Sequence, residues 1–199
     1  TSIMVLFFAF GINSEVLNSR ETINAITSFY TNIAKDAGLS QGDLTAFSQS
    51  AEIYYKGFLQ IFPSILIILS VVTSYITYTT AGRTLLSKGK FIMQPSSLEF
   101  LKFPREIILL SLATLAIFAL AGDYFGTSGE IFTLNLMNLL YFMLFVAGIS
   151  VLKFFMTRFA FKSFLQFLLI GLCLAISTLQ IFVMIIGALD QIINFRKIN

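Results

Sequence analysis

One stretch of the chain has the spacing of a nucleophile. Gly126-Thr127-Ser128-Gly129 matches the G-x-S-G that carries the serine of intramembrane serine proteases. An unassisted serine hydroxyl is a poor nucleophile, those proteases activate it with a histidine, and this chain has no histidine. A turn leading into a capped helix, with Thr127 and Glu130 as its capping box, is the better reading. The single cysteine, Cys173, lies between Leu172 and Leu174. It excludes a disulfide framework and reads as a small core filler. Zinc and transition-metal sites need clustered His and Cys, and the phosphate-cradling G-x-x-x-x-G-K-[ST] is missing. The residues therefore predict no enzyme, no metal and no cofactor.

What remains is polarity inside apolar runs. Asn135 and Asn138 are one turn apart on roughly one helix face and are the candidate substrate-binding residues. Bonding to a neighbouring helix is their alternative use. Gln166 and Gln180 sit near opposite ends of the last run, while Ser111, Thr114 and Ser150 can bond back to their own helix. Gly171-x-x-x-Ala175 is a small-residue pair of the kind that lets helices approach closely, within the chain or against another subunit. Asp, Glu, Lys and Arg avoid the middle of the runs, which argues against a proton relay.

The elements that position these residues are membrane helices. Apolar runs cover 57–80, 107–122, 131–155 and 163–189, and crossing a hydrocarbon core takes about 20 residues. The fold expected is an all-α membrane protein: a polytopic helical bundle with four complete transmembrane helices in 57–199. Residues 1–12 read as the end of a truncated transmembrane helix, because they begin fully apolar without the basic lead-in of a signal peptide. Lys and Arg gather in loops 81–106 and 153–162, whereas 122–130 holds two acids and no base. The positive-inside rule makes the two basic loops cytoplasmic and 13–56 and 122–130 external, in a multi-pass bacterial inner-membrane protein. Four complete spans put the C-terminus outside, against which Arg196 and Lys197 count; a tail lying along the interface is the alternative.

Residues 13–56 read as an external amphipathic helical hairpin. Ile23, Ile26, Tyr30 and Ile33 recur at helical spacing, and after the break at Ala37-Gly38-Leu39 so do Leu44, Phe47, Ala51, Tyr54 and Phe58. Ser40 and Asp43 mark the start of the second helix, which runs on into the first span, where Pro63 predicts a kink. An interfacial elbow helix is expected near 96–103, ahead of Pro104.

Three short motifs carry a family resemblance. They are Leu101-Lys102-Phe103-Pro104-Arg105 in the elbow, Gly148-Ile149-Ser150-Val151-Leu152-Lys153-Phe154-Phe155 closing a span that opens with Asn135, and the tail Asp190-Gln191-Ile192-Ile193-Asn194-Phe195-Arg196-Lys197. In this order, with Asp36-Ala37-Gly38-Leu39-Ser40 upstream, the chain resembles the YybS-type family of bacterial integral membrane proteins, a family of unknown function. Ala147 stands where that family's pattern has a Gln. The resemblance implies a longer protein with further N-terminal spans and a distant likeness to the substrate-binding S-components of energy-coupling-factor transporters. Two functions follow as expectations. One is a small-molecule-binding or transport component with an outer cavity; the other is a scaffold that docks another membrane protein or transporter module. The bilayer is the environment of both, nucleic acid of neither, and the ligand's identity is not in the sequence.

Overall fold

Local signals set the first corner. In the computed structural model, which describes residues 17, 19–91 and 97–197, helix α1 spans Arg20–Asp36. The Ser19 hydroxyl accepts from the Thr22 N–H at 3.2 Å, and Glu21 and Lys35 lie at the helix ends that favour their charges. The helix stops at Gly38, whose φ of 86° is open to glycine at little cost. Leu39 N–H then bonds back to the Ala34 carbonyl at 3.2 Å. Ser40 caps the next helix, its hydroxyl accepting from Asp43 N–H and donating to the Asp43 carboxylate at 2.5 Å.

Helix α2 runs unbroken from Gln41 to Ser87 and carries Pro63 inside it. Proline removes the hydrogen bond to the carbonyl four residues back. Beside it, the buried Ser64 hydroxyl donates to the Ile61 carbonyl at 2.7 Å. The chain divides into two compact units, Thr1–Val71 and Val72–Asn199. The expected helix end at 1–12 and the first residues of the hairpin lie outside the described residues, as do residues 92–96 ahead of the elbow and the Thr127 side chain.

In the second unit the elbow is a single 3-10 turn, Leu98–Phe100, followed by extended chain to Pro104, instead of the helix expected near 96–103. A residue before proline avoids the α conformation, and the elbow's carbonyls are used elsewhere, as shown below. Helix α3, Arg105–Arg158, contains a non-helical residue, Gly126, at φ 56°. The rings of Phe118 and Phe132 meet across it at 4.8 Å. On a straight helix those residues would be about 21 Å apart, so the two limbs of α3 fold back on each other. The Gly126–Gly129 segment contains the turn that joins them.

Helices α4 (Ser163–Ala175) and α5 (Ser177–Ile193) occupy the last apolar run as a broken span or a re-entrant pair: they meet at Ile176 with a bend of 107°. At about 20 Å, α4 is too short to cross a hydrocarbon core alone. The bend frees backbone groups, and Gln180 covers one of them, its amide donating to the Leu174 carbonyl at 2.8 Å. Among the described residues, two helices are long and apolar enough to cross a membrane, α2 and the second limb of α3, or three if the bent pair is one span.

The core of this unit gathers Ile149, Cys173 and Val183, with Leu98, Phe145, Leu152 and Ile170 packed around them. Two glycines bring α3 and α5 together. A Cβ at Gly148 would lie 1.9 Å from the Val183 carbonyl oxygen, and one at Gly187 would lie 2.1 Å from that of Leu144. A Cβ at Gly171, the glycine singled out in the sequence, would meet nothing within 4 Å, and both Gly171 and Ala175 are exposed.

Candidate functional site

Among the described residues, two places hold chemistry. The first is a buried charge centre in the second unit. Asn194 and Lys197 take left-handed conformations (φ 55° and 50°) after α5 and turn the tail back. The Arg196 side chain thereby enters the protein, and its guanidinium and the Asp190 carboxylate are both fully buried, 2.8 Å apart. Arg196 Nε also donates to Asp190 Oδ2 at 3.1 Å. One terminal nitrogen donates to the Glu99 carbonyl at 2.8 Å and to the Ser150 hydroxyl; the other reaches the Leu101 carbonyl at 3.1 Å as well as Asp190. A guanidinium has five N–H donors, and here all five have acceptors.

Ser150 in turn donates to the Leu101 carbonyl at 2.9 Å, and Thr157 donates to the Glu99 carboxylate at 3.1 Å. Ser150 lies eight residues before the end of α3 at Arg158, about 12 Å along the helix. Charge at that depth is expensive unless paired and fully hydrogen-bonded. The elbow supplies the missing acceptors, which explains its extended backbone. The three motifs of the sequence, elbow, span end and tail, are thus brought to one point. Asp190 Oδ1 and both amide atoms of Gln191 are buried without a hydrogen-bond partner among the described residues.

The second place is a groove between α1 and the first half of α2, within the first unit. It encloses about 790 Å³ and is lined by the apolar stripes of both helices, among them Ile26, Phe29, Tyr30, Phe47, Tyr54 and Phe58. Phe29 and Tyr30 pack edge to face at 5.8 Å. Among the described residues, none that lines it is charged. Phe29 is 62% exposed and Tyr54 77% exposed, so the groove is open. Pockets of 300–1,000 Å³ with mostly apolar, aromatic walls are the usual form of a small-molecule site.

The positions singled out in the sequence fall elsewhere. Asn135 donates to the Ile131 carbonyl of its own helix at 2.8 Å, and Asn138 is half-buried one turn on. Both lie on the second limb of α3, outside the lining of the groove and outside the Arg196 centre. Gln166 closes the start of α4 on the Phe161 carbonyl at 2.9 Å. Sequence reasoning passed over Asp190, Arg196 and Ser150 as site residues. The signal available was their place in the recurring motifs.

A family model described as "Predicted membrane protein (DUF2232)" matches residues 1–191. The chain belongs to this family. No curated protein and no solved structure matches it. For this DUF2232 protein the apolar helices and the family description agree on a membrane location.

Proposed function

We propose that this DUF2232 protein is a non-catalytic, multi-pass membrane component that binds a small apolar molecule in the groove between α1 and α2. The observation that carries the reading is the groove itself: about 790 Å³, walled by two aromatic stripes, with no charged side chain in its lining among the described residues. The resemblance to the YybS-type family, and through it to transporter S-components in a bacterial inner membrane, supports a binding or transport role by analogy of fold.

On this reading α2 and both limbs of α3 cross the bilayer, and α4–α5 is a re-entrant pair in place of a fourth complete span. Loops 81–106 and 153–162 face the cytoplasm, and Arg196 keeps the tail on the elbow's side. Asn135 and Asn138 then serve packing between helices.

The test is native mass spectrometry of the full-length protein purified in mild detergent. A small molecule held by the wild type, lost in Phe29→Ser and Phe47→Ser, and retained in Asn135→Leu and Asn138→Leu, is the expected result. Loss on replacing the asparagines instead would move the site to α3. The exposure of Phe29 and Tyr54 also suits a partner helix laid in the groove. A stoichiometric membrane protein that co-purifies with no small molecule would favour that scaffold reading.

A further inference from the structure

We infer that the groove's occupant is a membrane amphiphile whose hydrocarbon chain enters sideways from the bilayer at the Phe58 end. This rests on the groove being a small-molecule site, as proposed above. Three observations carry it.

Among the described residues the lining offers no counter-charge, and an ionised metabolite laid against these aromatic walls would find no partner in them. Its hydroxyls are also partly committed. Tyr55 donates to the Leu17 carbonyl at 3.0 Å, and Ser50 donates to Ala46 at 2.9 Å.

The groove's wall is also continuous with a membrane helix. On α2 the lining ends at Phe58, whose ring meets Phe62 at 5.5 Å. The same unbroken helix then exposes Ile67, Leu69 and Val71. The lower mouth therefore opens where the hydrocarbon begins.

Finally, Tyr54, Tyr55 and Phe58 cluster at that mouth, the composition of an interfacial aromatic belt. The nearest charges on α2, Glu52 and Lys56, pair with each other at 2.6 Å outside the lining. They mark the level of the headgroups, where the polar end of an amphiphile would stay. An open trough of this kind suits a flexible chain supplied by the membrane better than a soluble solute, which needs enclosure to leave water.

Residues 1–199 hold no tryptophan, so Tyr54→Trp, with any tryptophan outside them replaced by phenylalanine, gives a single emitter at an exposed position. Full-length Tyr54→Trp protein in mild detergent is titrated with a lysophospholipid carrying a brominated acyl chain. Saturable quenching is expected. Adding Ala51→Phe, which fills the groove, should weaken it about tenfold or more. Leu69→Trp, on the apolar span, should show only quenching in proportion to the amphiphile present. A water-soluble bromophenol that quenches Tyr54→Trp saturably while the lysophospholipid does not would overturn the amphiphile but leave the groove as a site. Saturation by neither probe overturns both. Saturable quenching by the lysophospholipid that survives Ala51→Phe places the chain outside the groove and overturns the inference.

Discussion

Replacing Arg196 with leucine should unfold the second unit more readily than any other single change on its surface or in its tail. The side chain is fully buried against an equally buried Asp190 carboxylate. Removing one member of such a pair strands the other, at a cost of about 3–5 kcal/mol. For a chain of this size that corresponds to a fall in Tm of about 6–20 °C. The second replacement, Asp190→Leu in the same chain, removes the stranded charge. It does not restore every bond. The Leu101 carbonyl keeps its Ser150 donor, but the Glu99 carbonyl loses Arg196, which leaves a deficit of about 1–3 kcal/mol. The double variant should thus be more stable than Arg196→Leu alone and less stable than the wild type. Arg196→Lys should fall between, since an ammonium has three donors for the acceptors that five now serve. Thermal unfolding in detergent, followed by circular dichroism, measures all four proteins. An Arg196→Leu variant within about 0.5 kcal/mol of wild type, or a double variant less stable than Arg196→Leu alone, would refute the buried centre.

Other replacements probe the remaining packing. Gly187→Ala must push α5 away from α3, because its Cβ would lie 2.1 Å from a backbone oxygen that cannot rotate aside; a loss of about 3 kcal/mol or more, at the top of the range for overpacking, should appear in the same unfolding assay. A Cβ at Gly171 meets nothing within 4 Å, so Gly171→Ala should leave the monomer's stability unchanged, and any loss of a co-purifying subunit in that variant would locate a partner at Gly171. Gln180→Leu bares the Leu174 carbonyl at the bend, and in lipid, without water to replace the bond, it should cost about 1–3 kcal/mol. Ser40→Ala removes the cap of α2 and should cost about 1 kcal/mol, read most directly as faster amide exchange at residues 42–44.

What the sequence made legible was local. Gly38, the Ser40–Asp43 cap, the turn at Gly126 and the stripes that became the groove walls each depend on residues within a few positions of one another. The Arg196 centre depends on partners 46, 95 and 97 positions away. In the sequence an Arg-Lys pair after an apolar run reads as an interfacial anchor, since long basic side chains ordinarily reach out to headgroups. Nothing near Arg196 discloses that elbow carbonyls will face it. The break at Ile176 was hidden for another reason: neither Pro nor Gly marks it, and a β-branched residue in an apolar run reads as continuing helix. Gly171 and Gly187 look alike as small residues in helices. Only the pairing of α3 with α5 decides which of them is the point of approach.

The wiring of the Arg196 centre also has a consequence for biosynthesis. The elbow carbonyls at Glu99 and Leu101 leave the ribosome long before the side chain that completes their hydrogen bonding, which follows 95 positions after Leu101. At roughly 5–20 residues per second that interval is about 5–20 s. On the proposed topology the α3 limbs can be inserted throughout it while the elbow is still wet. Translation that stalls before Arg196 would leave an inserted but unlatched chain, with Ser150 and the elbow within reach of a membrane protease. Translation past Arg196 would thus be registered in the fold by a single late-arriving side chain.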